Sequence, residues 1–148
     1  MNLSQHFTFA EMTTTSQEAW KPLQAQPSVE VLASLTALCE RVLEPIRARF
    51  GPVSIHSGYR CVGLNAAIGG SKTSQHVAGQ AADFHCAGAG LPEVYDWIRH
   101  ESGIKVGELI LESHTPGVPV WIHVSLPTAK IHDEYLTFDG SKYHTAPA

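Results

Sequence analysis

The sequence predicts an α+β fold in which helices pack on a small antiparallel sheet. Three observations carry this expectation. Apolar residues recur at helical spacing through residues 28–50, short alternating runs read as strands further on, and Gly and Pro punctuate the boundaries between them.

The elements follow in order. Thr8-Phe9-Ala10-Glu11 has the pattern of a capping box and opens a short helix, with Phe7 and Phe9 packing inward. Ser28 is the expected N-cap of the main helix, whose apolar face is Leu32, Leu35, Leu38, Cys39, Val42, Leu43, Ile46 and Phe50. Pro45 should kink or interrupt it. After Gly51-Pro52, Val53–Ser57 alternates as a strand. A short helix is expected from Cys61 to Ile68, ending at Gly69-Gly70. Another runs from Leu91 to Glu101, with Pro92 in its first turn and Gly103 past its end. Gly107–Glu112 and Val120–Leu126 are predicted to form an antiparallel hairpin across a Ser113–Pro119 loop. After Pro127 the pattern weakens, and the tail is expected to fray near its end.

The 148 residues suit one domain, with 1–27 as an N-terminal tether carrying a short helix and 127–148 as a C-terminal extension. Hydrophobic residues make up 43% and charged residues 16%, enough for a core and too little charge for a disordered chain. A net charge of −4 without a Lys/Arg run argues against a nucleic-acid partner. Cys39, Cys61 and Cys86 form no CxxC pair and read as reduced, partly buried thiols. No signal peptide and no membrane-length apolar run is evident. The expectation is a protein made in the cytoplasm, without membrane insertion, and monomeric by default.

Nine histidines are the unusual feature, and several cluster near Gly- and Ser-rich sequence. His76 and Asp83 lie seven residues apart. That separation is roughly 10 Å along a helix and roughly 23 Å along a strand, too far for bonds of about 2 Å to one ion. The two can share an ion only if the chain reverses between them, and Gly79 supplies the permissive backbone. In Val120-Trp121-Ile122-His123-Val124-Ser125 the period is two. Ile122 and Val124 face one way, and Trp121, His123 and Ser125 face the other.

These residues resemble the zinc D-Ala-D-Ala carboxypeptidases and L-alanyl-D-glutamate endopeptidases, which share a fold with the zinc domain of hedgehog proteins. The family pattern SxHxxGxAxD is met by Ser74, His76, Gly79, Ala81 and Asp83. A Ser-Gly-Tyr-Arg element is met by Ser57–Arg60, and the later histidine by His123 in Trp-Ile-His-Val-Ser. The match runs from Leu3 to about Ser125 and is most similar to small single-domain members common in bacteriophages and prophages.

The resemblance implies one zinc ion held by His76, Asp83 and His123, and a peptidoglycan stem peptide or crosslink as substrate. Two imidazoles and one carboxylate leave zinc an open position, the catalytic rather than the structural arrangement. Arg60 is implied to hold a substrate carboxylate or the developing oxyanion. Ser74 and Gln75 are implied in substrate binding, with Gln80 a further polar candidate. Many members carry an acidic or other polar catalytic residue three positions before the last histidine, and here that position is Val120. Glu112 is therefore the candidate general base, with His114 second, and it reaches the site only if the hairpin register is right. His56 and His85 are assigned supporting roles.

Within this class the sequence does not separate carboxypeptidase from endopeptidase, or endolysin from another carrier. The rival reading is a non-catalytic zinc-binding or wall-binding module, such as a phage structural component, and it rests on Val120. Either way, delivery to the wall must follow release by another agent.

Overall fold

In the computed structural model, which describes residues 1–147, the tether is built as a capped turn. Helix α1 (Phe9–Met12) opens with the expected reciprocal bonds: Glu11 N donates to Thr8 Oγ1 at 3.1 Å and Thr8 N to Glu11 Oε2 at 2.8 Å. A 3₁₀ turn (Glu18–Trp20) and α2 (Lys21–Gln24) follow. Ser4 and His6 tie the tether to Glu44.

The main helix is one run in three pieces: α3 (Val29–Leu38), a π-helical turn (Cys39–Leu43) and α4 (Glu44–Phe50). Ser28 caps it through Val31 N. Pro45 has no N–H for the helical ladder, and the wider π turn just before it takes up the mismatch. The expected interruption is thus a local widening, and the helix continues.

Then come β1 (Val53–Ser57), α5 (Val62–Ala67), β2 (Ala81–Cys86), α6 (Leu91–His100), β3 (Glu108–Thr115), β4 (Val118–Ser125), β5 (Glu134–Phe138) and β6 (Tyr143–Thr145). The strands form one six-stranded open sheet in the order β1-β2-β4-β3-β5-β6. Every pairing is antiparallel except β3 with β5.

Two sequence expectations are corrected here. The hairpin loop is not seven residues long: β3 and β4 run further, and only Pro116-Gly117 separates them, with Gly117 at φ +78°. The tail expected to weaken after Pro127 and fray near its end is instead ordered through the described residues: it returns as β5 and β6, and Ala146 is buried. Pairing along the edge of β3 satisfies backbone groups that would otherwise be open.

One face of the sheet is the core. Phe84, Leu109, Ile122 and Val124 bury completely against Leu35, Leu38, Val42, Leu43 and Ile46 of the main helix and Val94 of α6. Each contributes about 1.5–3 kcal/mol. The alternation that buries Ile122 and Val124 turns Trp121, His123 and Ser125 to the opposite face, as their spacing predicts. Cys39, Cys61 and Cys86 are free and buried. Burial pushes the Cys39 thiol up to about 12 and the Cys86 thiol up to about 11, so neither ionises readily.

Candidate active site

The turn between His76 and Asp83 brings the first two site residues together. Gly79 sits at φ +71°, and a Cβ there would lie 2.7 Å from the Val31 carbonyl oxygen of α3. The turn closes with Gly79 N donating to His76 O at 3.2 Å and Gln80 N to Gln75 O at 2.9 Å. Asp83 then stands on β2 directly opposite His123 on β4.

The three side chains converge. His76 Nε2 is 3.3 Å from Asp83 Oδ2, and His123 Nδ1 is 2.9 Å from Asp83 Oδ1. All three residues are buried, and one donor atom from each lies within 4.8 Å of the others. Tetrahedral ligands at about 2.1 Å from zinc sit roughly 3.4 Å apart, close to these spacings. His76 Nδ1 is 2.7 Å from the Gly58 carbonyl, to which its N–H donates. That bond fixes the tautomer and leaves Nε2 a lone pair for a metal.

Electrostatics point the same way. Burial opposes the Asp83 charge, but His76 and His123 outweigh it and hold the carboxyl well below the usual range. Burial would likewise strip the His123 proton, yet Asp83 and Glu108 hold it charged. A divalent cation held by these three residues would take the place of that proton as the partner of Asp83. The donor set therefore fits a divalent cation such as zinc.

A cleft of about 550 Å³ opens over this cluster, lined among others by Arg60, Ser74, Glu108, Glu112, Trp121 and Tyr143. Arg60 is half-buried, and its Nε has no partner. Burial lowers its pKa against the opposing pull of Asp83 and Glu112, and a guanidinium stays charged at neutral pH regardless. Ser74 Oγ accepts from His76 N at 3.2 Å and from Arg60 Nη2 at 3.4 Å, so it braces the turn and the arginine together. Gln75 is buried and donates to Leu126 O at 2.9 Å, tying the turn to the end of β4. Gln80 accepts from Gln75 Nε2 at 3.3 Å.

Glu112 pairs in register with Trp121, the row adjoining Ile110 and His123. The indole N–H donates to Glu112 Oε2 at 2.8 Å. Burial raises the Glu112 pKa first and the Asp83 charge adds to it, against the Trp121 bond. Val120 has no partner on β3, because the register jumps from Glu112–Trp121 to Ser113–Pro119. It is the extra residue of a β-bulge. His114 packs edge-on against Trp121, with ring centroids 4.9 Å apart. His56 and His85 pair with each other at 2.6 Å, beside Trp121 and outside the metal cluster.

Sequence reasoning missed Glu108, whose Oε1 lies 3.4 Å from His123 Nε2. The His123 ring beside it lowers its pKa. The signal was present: Glu108 and Glu112 share the alternation of Glu-Leu-Ile-Leu-Glu and so share a face. Gln24 was missed as well. Its buried amide bonds Thr13 O, Tyr59 O and Cys61 N, fastening the tether to the Ser57–Arg60 loop. Gly58 has no room for a side chain, since a Cβ would fall 2.4 Å from Met12 O.

A family model described as Peptidase M15 matches residues 5–125. The chain belongs to the peptidase M15 family. The matched segment spans the whole metal cluster of this M15 chain and ends at Ser125, before β5 and β6. No curated protein matches the chain. A larger cavity of about 840 Å³ lies away from this chemistry, lined by Phe50, Tyr95 and Trp97, and contains none of the metal-site residues. Among the described residues no helix is long and apolar enough to cross a membrane.

Proposed function

We propose that residues 1–148 act as a single zinc-dependent peptidase domain that hydrolyses a peptide bond in the stem peptide or crosslink of bacterial peptidoglycan. The single observation that carries this reading is the His76–Asp83–His123 cluster at the floor of a cleft, in a chain of the M15 family. Zinc bound by these three would lower the pKa of a water and polarise the scissile carbonyl.

The chain's own residues supply the rest. Glu112 takes the proton of the attacking water and returns it to the leaving amine. Burial raises its pKa above the ordinary glutamate value, in the direction that favours taking and then returning a proton. Trp121 engages Oε2 and so leaves Oε1 for the proton. Arg60 lines the cleft, where its guanidinium would pair with a carboxylate or with the oxyanion that develops at the carbonyl. Ser74 holds that arginine in place. Glu108, facing the far nitrogen of His123, orients the imidazole.

The module reading rested on the lack of an acid at Val120. Glu112 on the cleft face supports catalysis instead, since a carboxylate from the neighbouring strand takes the place of one on the histidine's own strand. The test is His76→Ala. It should lose zinc and all hydrolysis of purified peptidoglycan, and full hydrolysis by that variant would remove the ligand assignment.

A further inference from the structure

The cleft has a wall that the family match does not account for. Matching stops at residue 125, yet Ile131 and Tyr143 both line the cleft beside Glu108 and Glu112. Cross-strand register explains how. Trp121 pairs with Glu112, Glu112 with Phe138, and Phe138 with Tyr143. Paired residues point to one face, so these four form a row across β4, β3, β5 and β6. The candidate base therefore has an aromatic neighbour on either side.

Tyr143 is held in this position. Its ring packs on Phe138 with centroids 4.5 Å apart. Asp139 closes the β5–β6 turn, with Oδ1 accepting from Ser141 N at 2.8 Å and Lys142 N at 2.7 Å. Its other oxygen pairs with His144 Nε2 at 2.9 Å. Gly140, at φ +101°, lies so near the end of β3 that a Cβ would meet His114 O at 2.2 Å. The turn is thus locked onto β3, and yet Tyr143 remains 59% exposed. A rigidly mounted, open aromatic ring in a cleft is a preformed contact surface. Burial, then the charges of Glu112, Glu108 and Asp83, push the phenol pKa up, so it stays a neutral donor.

We propose that Tyr143, backed by Phe138, is a distal subsite for extended peptide substrate, binding it beyond the residues that flank the scissile bond. This rests on the peptidase reading above. Strands lie about 4.8 Å apart, which puts β6 about 14 Å from the His123 strand. An extended peptide advances about 3.3 Å per residue, so the contact falls about four residues from the bond. A dipeptide does not reach it. A stem pentapeptide does, so the subsite selects long stems.

The experiment compares two probes, D-alanyl-D-alanine and a stem pentapeptide, on zinc-loaded wild type, Tyr143→Ala and Tyr143→Phe. Stopped-flow tryptophan fluorescence reads the Kd before turnover. Tyr143→Ala should weaken the pentapeptide about tenfold and narrow its advantage over the dipeptide. Tyr143→Phe keeps the ring and should restore most of that affinity. An unchanged pentapeptide Kd in Tyr143→Ala, or equal loss for both probes, overturns the subsite. So does a wild type that does not bind the pentapeptide. Mass spectrometry of the wild-type products separates the two readings. Binding as expected without cleavage leaves the subsite standing and sinks the catalytic reading.

Discussion

Gly79→Ala strikes the turn that makes the metal cluster possible, and Gly103→Ala provides a matched control. Both glycines sit at φ +71°. Left-handed backbone costs a non-glycine residue about 1–2 kcal/mol, and both variants bear that. They differ in space. A Cβ at Gly103 meets nothing within 4 Å, whereas one at Gly79 falls 2.7 Å from Val31 O and 2.9 Å from Val31 Cγ1. The carbonyl belongs to α3 and cannot rotate away, so the turn must move, at a further cost of about 1–3 kcal/mol. Stability at this length translates to about 2–4 °C of Tm per kcal/mol. Differential scanning calorimetry should then show a drop of roughly 5 °C for Gly103→Ala and roughly 10 °C for Gly79→Ala. Displacement of the turn also separates His76 from Asp83, so zinc affinity should fall about tenfold in Gly79→Ala alone. Equal Tm losses, or unchanged zinc affinity in Gly79→Ala, would refute the reasoning.

Four further outcomes are expected. Glu112→Gln should keep its zinc by metal analysis and lose activity by about 10²–10⁴-fold; an unchanged rate removes Glu112 from the mechanism. Trp121→Phe keeps an aromatic ring beside His56 and His114 but deletes the indole N–H to Glu112 Oε2. Loss of a bond to a charged group of about 1.5–3 kcal/mol should reduce kcat roughly tenfold or more without lowering zinc content. The pH profile of kcat/KM should have its acid limb above the usual glutamate range, because burial raises the Glu112 pKa. The base is neutralised as pH falls through that pKa, so activity is lost on the acid side. A limb at or below pH 4.5, the ordinary value for this group, would contradict it. Chelation should lower Tm, and added zinc should restore it in proportion to ln(1 + [Zn]/Kd); a Tm indifferent to chelator argues against a tightly held ion.

Local chemistry made much of this fold legible. Thr8 and Ser28 announced their helices through capping bonds that need only neighbouring residues. The alternation around His123 assigned its face correctly because Ile122 and Val124 had to be buried. What depended on distant pairing was harder. β5 is recruited by a parallel edge contact with β3, which no local pattern encodes. The Asp139-Gly140 turn was nonetheless a readable hairpin signal. The π turn before Pro45 was not legible, since a proline in a helical pattern predicts a defect without saying how the chain absorbs it.

The site divides in the same way. The need for reversal at Gly79 followed from distance alone, and its positive φ meets that need. The placing of Glu112 depended on register, where a slip by one residue would have turned it into the core. Register against Trp121 puts it on the cleft face, and the bulge at Val120 lies one residue away. Glu108 stands at the opposite end of β3 from the hairpin turn, and the alternation that carries Glu112 carries it to the same face.

Purified sacculi incubated with the zinc-reconstituted protein and analysed by mass spectrometry test the central claim most directly. The account predicts muropeptides shortened by hydrolysis of one stem-peptide or crosslink bond, with cleavage absent when zinc is removed. Sacculi left intact by a protein carrying one tightly bound zinc would contradict it.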